Sequence, residues 1–172
     1  MKNKKDIKKL CVFDFDNTLM NTPFKKDGTK KWEEHYGEKY PSKAWWSEPY
    51  SLDIDVFKDE IKPKPDVLFD FRRYTNKDDT WVIMLTHRLP TLDKEVSKIL
   101  DKFNIVFDDK LYRRSFFLTK ANDLDEYIPD FPNLEEIEIW GDRDSEIDIL
   151  KKWAYKIEPW VDFDININII KT

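Results

Sequence analysis

The sequence predicts an α/β domain built on a mainly parallel sheet flanked by helices, with a small insertion after the first strand. Two patterns point to that class: short apolar runs ending in turn-forming residues alternate with segments whose apolar residues recur at spacings of three and four. Length sets the scale. With 172 residues, the chain is expected to form one domain, residues 1–172, that buries roughly 70% of the surface of its unfolded form without disulfides or metals as staples.

The elements follow in order. Leu10, Cys11, Val12, Phe13 and Phe15 form an apolar run that stops at acidic and turn-forming residues, the pattern of a buried strand. Residues 20–64 are polar and aromatic, with turn signals at Pro23, Gly28, Gly37, Pro41 and Pro49, and read as a small cap-like insertion. A helix is predicted over Asp66–Tyr74, after a proline-rich start, and a second buried strand over Trp81–Leu85. Over Pro90–Phe103, Leu92, Val96, Ile99, Leu100 and Phe103 keep the spacing of an amphipathic helix. Ser115–Leu118 reads as a third strand, Ala121–Ile128 as a helix, Glu135–Trp140 as a fourth strand and Ser145–Trp153 as a helix. Ala154–Val161 and Ile165–Ile170 read as two final strands, and the lysine-rich Met1–Lys9 as a solvated, partly disordered arm.

Composition excludes several function classes. Aromatic residues make up 15% of the chain, which argues against disorder. Its three glycines, Gly28, Gly37 and Gly141, are too scattered for a dinucleotide fingerprint or a Walker-type phosphate loop. One cysteine, Cys11, excludes an internal disulfide framework and a multi-cysteine zinc site, and suits a reducing compartment. No stretch approaches the roughly 20 apolar residues of a membrane span, and Asp14 and Asp16 interrupt the only candidate signal segment. The expected setting is cytoplasmic, in a cellular or virus-encoded intracellular protein with no membrane partner. A net charge of -5 argues against a generic DNA-coating role.

The chemistry gathers at strand ends, where open parallel sheets bind ligands. The first strand runs into Asp14-Phe15-Asp16-Asn17-Thr18-Leu19, the second ends at Thr86-His87-Arg88, and the fourth at Gly141-Asp142-Arg143-Asp144. Two carboxylates one residue apart at the end of an apolar strand repel each other and lose solvation, a cost that a structural role rarely justifies. A divalent cation resolves the conflict. Mg²⁺ takes one or two carboxylates with waters and phosphate oxygens, and Asp142 is placed to join Asp14 and Asp16 around it. With charge so offset, a carboxylate becomes able to attack a phosphoryl group.

Val12-Phe13-Asp14-Phe15-Asp16-Asn17-Thr18-Leu19 resembles the first motif of the haloacid dehalogenase superfamily of phosphohydrolases, and the resemblance extends from about residue 10 to residue 160. It implies a Rossmann-like fold and Mg²⁺-dependent hydrolysis of a phosphomonoester through an aspartyl-phosphate. Asp14 would be the nucleophile, Asp16 the general acid that later activates water, and Thr18 a support of the loop. Thr86 stands where the family's second motif places a phosphoryl-binding hydroxyl, and His87 replaces a common glycine, as a substrate contact or an ordinary loop histidine. Arg88 would clamp a phosphate bidentately, or form a surface salt bridge. Lys120 is the choice for the third-motif lysine, with Lys110 its rival. Asp142 matches the fourth-motif metal ligand, with Glu146 or Asp148 in support.

Thr86-His87-Arg88 together with Asp142-Arg143 resembles the phosphatase domain of polynucleotide kinase/phosphatase proteins, with Arg143 as a substrate contact. Asp14 through Pro23, with Trp45-Trp46 and Leu85-Thr86-His87-Arg88, is similar to the Swiss-Army-knife RNA-repair-like domain of the same superfamily. Those likenesses imply a phosphorylated, single-stranded nucleic-acid end as substrate. The insertion fits that substrate: it interleaves Trp32, His35, Tyr36, Tyr40, Trp45, Trp46 and Tyr50 with Lys25, Lys26, Lys30, Lys31, Lys39 and Lys43, a mixture that suits base stacking and backbone neutralisation, and equally suits burial against the main domain. Two other functions fit the same residues, a small-molecule phosphatase such as a 5′-nucleotidase, and a catalytically idle binding module. A screen of mononucleotides against phosphorylated oligonucleotides separates the first, and absence of turnover the second.

Overall fold

In the computed structural model, residues 2–115, 117–157 and 165–172 are described. The strands are β1 (Lys9–Phe13), β2 (Met20–Asn21), β3 (Lys62–Pro63), β4 (Thr80–Thr86), β5 (Asp109–Tyr112), β6 (Glu136–Gly141) and β7 (Asn166–Lys171); the helices are α1 (Lys25–Tyr36), α2 (Pro65–Thr75), α3 (Asp93–Lys102), α4 (Lys120–Tyr127) and α5 (Asp144–Ile157). Five strands form one sheet in the order β5-β4-β1-β6-β7, with every pairing parallel. β1 is central and, after Lys9, wholly apolar because it is covered on both faces. Cys11 and Phe13, with Val82, Met84 and Trp140, face a core layer that includes Val67 and Phe71 of α2 and Val96 and Ile99 of α3. Leu10 and Val12, with Ile83, Leu85 and Ile139, face the opposite layer, which includes Leu124 of α4 and Leu150 and Trp153 of α5. The chain therefore builds outward from β1 in both directions, and the C-terminal end of β1 is the switch point at which open α/β sheets bind ligands.

The insertion begins and ends at one place. β2 and β3 pair antiparallel, Met20 opposite Pro63, and the Lys64 amide donates to the Leu19 carbonyl at 2.9 Å. Between them the aromatics collapse on one another: Trp32, Tyr40, Trp45 and Phe57 are buried, continuous with the core under the sheet. Gly28 lies inside α1 and is not a turn. A Cβ there would overlap the Trp45 ring, so the glycine is needed for close approach. Gly37, at φ 70°, ends the helix in the left-handed conformation.

Three expectations need correction. The third strand is Asp109–Tyr112, not Ser115–Leu118. As a half-buried sheet edge it carries charged residues, with Lys110 pairing with Asp93 at 2.5 Å, so no apolar run marks it. Phe117 of the expected strand is 95% exposed in a loop, and Phe116 lies outside the described residues. Ala154–Ile157 continues α5 and is not a strand; residues 158–161 lie outside the described residues. The N-terminal arm is anchored. Ile7 is fully buried, Lys2 pairs with Asp108 at 2.9 Å, and Lys4 pairs with Asp130 at 2.8 Å and lies 4.7 Å from the centre of the Tyr127 ring. Among the described residues, no helix is long and apolar enough to cross a membrane.

Candidate active site

Beyond β1 the parallel ladder continues for one more bond, from the Asp14 amide to the Trp140 carbonyl at 3.1 Å, so the nucleophile candidate sits on the sheet's rigid edge. The chain then turns back, with the Leu19 amide bonded to the Asp14 carbonyl at 3.2 Å and the Met20 amide to the Phe15 carbonyl at 2.9 Å. Asn17 takes the left-handed conformation at φ 52°, which asparagine tolerates better than most residues. Asp14 Oδ1 accepts from the Phe15 amide at 2.8 Å, and Oδ2 meets Lys120 Nζ at 2.8 Å.

Lys120 is the first residue of α4, placed there by a reciprocal capping box between Thr119 and Asn122. It is 5% exposed, and its ammonium also meets Glu146 Oε2 at 2.8 Å. Lys110, by contrast, is held by Asp93 and Ser97. Glu146, in the first turn of α5, is a hub: Oε1 accepts from His87 Nδ1 at 3.0 Å and from an Arg143 guanidinium nitrogen at 3.3 Å. Burial pushes the Glu146 carboxyl upward, but the His87 hydrogen bond and the Lys120 charge outweigh it and bring it to about 2. Asp14 goes the other way. Its burial raises the carboxyl from 3.8 to about 6, although Lys120 pulls downward. Thr86 ends β4 with its hydroxyl accepting from the Arg88 amide at 3.2 Å, while Thr18 Oγ1 is buried with no hydrogen-bond partner among the described residues.

Arg88 is not a free phosphate clamp. It is 1% exposed, and its guanidinium grips both Asp16 oxygens, at 2.9 and 2.7 Å. The remaining nitrogen donates to the Trp46 carbonyl at 3.1 Å and the Ser51 hydroxyl at 2.5 Å. Thr22 Oγ1 donates to Asp16 Oδ1 at 2.8 Å. One guanidinium thus joins the loop after β1 to the insertion. No sequence signal marks Thr22 or Ser51 for this role.

The Asp16 carboxylate, expected among the cation's ligands, is consumed by these partners. Among the described residues no three His, Cys, Asp or Glu side chains gather as a metal-holding group. Two carboxylates nevertheless fit Mg²⁺, which needs only one or two beside waters and phosphate oxygens. Asp142 stands just past β6 with Oδ1 buried and unpartnered among the described residues, and burial raises its carboxyl. An orphaned carboxylate oxygen one residue beyond the β6 end that adjoins Asp14 suits a hard cation.

The two expected stacking residues part company. Trp45 is 2% exposed, with its indole N–H donating to the Pro23 carbonyl at 2.9 Å, and is structural. Trp46 is half-buried at the mouth of the site, its ring 5.0 Å from the Arg88 guanidinium and 5.8 Å from that of Arg143, which is exposed.

No protein-family model matches the sequence, and neither does any curated protein. Solved structures do. A chain of the Pnkp1/Rnl/Hen1 RNA repair complex superposes with a TM-score of 0.57 at 14% identity, over 99% of this chain and 45% of that one, so this chain spans under half of its length. A haloacid dehalogenase-like hydrolase from Streptococcus pneumoniae gives 0.54 at 12% identity, over 94% of each chain. The haloacid dehalogenase domain of the effector Lem4 from Legionella pneumophila gives 0.55 at 9% identity, over 96% of this chain and 86% of that one. At these identities the likeness is one of fold: the chain has the Rossmann-like α/β fold of haloacid dehalogenase-like hydrolases, with the insertion after the first strand.

Proposed function

We propose that the protein is a Mg²⁺-dependent phosphomonoesterase working through an aspartyl-phosphate on Asp14, and that its substrate is a phosphorylated nucleic-acid end. The observation that carries the reading is the buried Asp14–Lys120–Glu146 chain, 2.8 Å at each link. A lysine sealed between two carboxylates at a sheet's switch point has little structural use, whereas it holds a nucleophile in place and offsets charge on an arriving phosphate.

In the first step an Asp14 oxygen bonds to phosphorus as the bond to the leaving oxygen breaks, and protonated Asp16 gives that oxygen its proton. In the second, Asp16 takes a proton from water, whose oxygen attacks phosphorus and breaks the bond to Asp14, releasing inorganic phosphate. Asp16 must first leave Arg88 and Thr22. The Thr86 hydroxyl and the Lys120 ammonium hold the phosphoryl oxygens. Mg²⁺ held by the carboxylates of Asp14 and Asp142 would neutralise charge on those oxygens.

The substrate class rests on the lysines and aromatic side chains interleaved in the insertion, on Trp46 beside Arg88 and Arg143, and on a fold shared with a chain of an RNA repair complex. A single cysteine, free and buried, accords with a cytoplasmic setting. Asp14→Asn is expected to abolish hydrolysis of p-nitrophenyl phosphate in Mg²⁺; near-wild-type turnover by that variant overturns the mechanism.

A further inference from the structure

We infer that Phe24 and Trp46 form a stacking notch for the base adjoining the phosphate of a single-stranded nucleic-acid end, with Phe24 its outer wall; the inference rests on the phosphatase reading above. The insertion buries Trp32, Tyr40, Trp45 and Phe57 but leaves Phe24 60% exposed at the start of α1, where it makes no side-chain capping bond. Its ring stands edge-on to Trp46, centres 6.3 Å apart at 86°, so two aromatic walls meet at a right angle.

The notch is tied to the chemistry. Trp46 is fixed through its carbonyl by Arg88. Its ring adjoins the Arg143 guanidinium, which contacts Glu146, which contacts Lys120, which contacts Asp14. A phosphate on Asp14 therefore lies a few side chains from the notch. Cations stand beside both rings: Lys25 and Lys26, both exposed, directly follow Phe24, Lys25 reaches the Lys43 carbonyl at 2.6 Å, and the exposed Arg143 guanidinium lies 5.8 Å from the Trp46 ring, whereas the carboxylates of Asp27 and Glu60 line the cavity on the other flank of Phe24, with Lys31 among them. Cations flanking an aromatic notch match a base between two backbone phosphates. A phosphotyrosyl peptide would offer a ring and a phosphate without that flanking charge.

Binding is read by fluorescence anisotropy in the turnover-deficient Asp14→Asn background, with a short single-stranded oligonucleotide carrying a terminal phosphate. Adding Phe24→Ala is expected to weaken binding about tenfold to a hundredfold. Phe69→Ala, which truncates an equally exposed ring on α2, should leave binding unchanged. Replacing the terminal nucleoside by an abasic residue should erase the difference between the proteins with and without the Phe24 ring, which a structural role for Phe24 would not do. Equal binding by both proteins to the intact strand overturns the notch, as does a phosphotyrosyl peptide that displaces the oligonucleotide at lower concentration. Failure of the wild-type protein to hydrolyse p-nitrophenyl phosphate would instead overturn the phosphatase reading, because the anisotropy measurement does not depend on turnover.

Discussion

Replacing Lys120 with methionine keeps most of the side-chain volume and removes the charge between Asp14 and Glu146. Both carboxylates then lie in a buried site with their shared cation gone, and removing one partner of a buried pair costs about 3–5 kcal/mol. For a chain of this size each kcal/mol lowers Tm by about 2–4 °C, so a drop on the order of 10 °C is expected at pH 8. The sign of the pH dependence follows from Asp14. Its carboxyl is already raised from 3.8 to about 6 with Lys120 present, and it rises further without it. A carboxyl raised above its unfolded value costs stability where it is ionised, so the penalty is full above the folded value, shrinks as pH falls through it and is gone only below the unfolded value. Glu146, at about 2 with Lys120 in place, also rises toward its ordinary value once Lys120 is gone, but that loss is the same at pH 8 and pH 5, so Asp14 sets the change between them. The deficit of Lys120→Met relative to wild type should therefore shrink clearly between pH 8 and pH 5 when thermal unfolding is followed by circular dichroism. The same deficit at both values would mean that packing, not charge, is what Lys120 supplies, and would remove the main support for the role proposed for it beside Asp14.

Gly28→Ala should destabilise by about 1–3 kcal/mol in urea titration although alanine is the better helix former, because its methyl group meets the buried Trp45 ring; a more stable variant would show that the ring yields easily. Arg88→Met should cost about 3–5 kcal/mol by leaving Asp16 buried without its cation, and Arg88→Lys should recover only part of that, since an ammonium cannot serve both Asp16 oxygens, Trp46 and Ser51 together. Full recovery by lysine in denaturant unfolding would reduce the guanidinium to a point charge.

The central strand and the loop after it were legible because an apolar run stopping at Asp14 and Asp16 has few physical explanations. The helices were legible where one face is buried and the other wet, as in α3. β5 was not, because an edge strand half in water can mix Lys110 and Asp109 with Leu111 and Tyr112 and show no period. The part of the site closest to the strand ends could be read from sequence; what fixes it could not. Arg88 reads as a surface cation ready for phosphate until Asp16, 72 residues away, and Ser51, 37 residues away, are brought onto it. Trp45 and Trp46 are neighbours with identical side chains and opposite surroundings, since adjacent residues of a loop point apart. The N-terminal lysines looked solvated because their partners, Asp108 and Asp130, lie more than a hundred residues on.

The β2–β3 ribbon brings the two ends of the insertion within a single hydrogen bond, so residues 20–64 have the geometry of an exchangeable module whose removal closes with little chain entropy. Arg88 makes the exchange consequential. The insertion supplies the roof that keeps the Asp16–Arg88 pair dry, and without it water would reach a bond that, when wet, is worth only about 0–1 kcal/mol. A different insertion at this position would thus reach past its own surface: by setting the local dielectric over Arg88, it would set how tightly the chain holds Asp16.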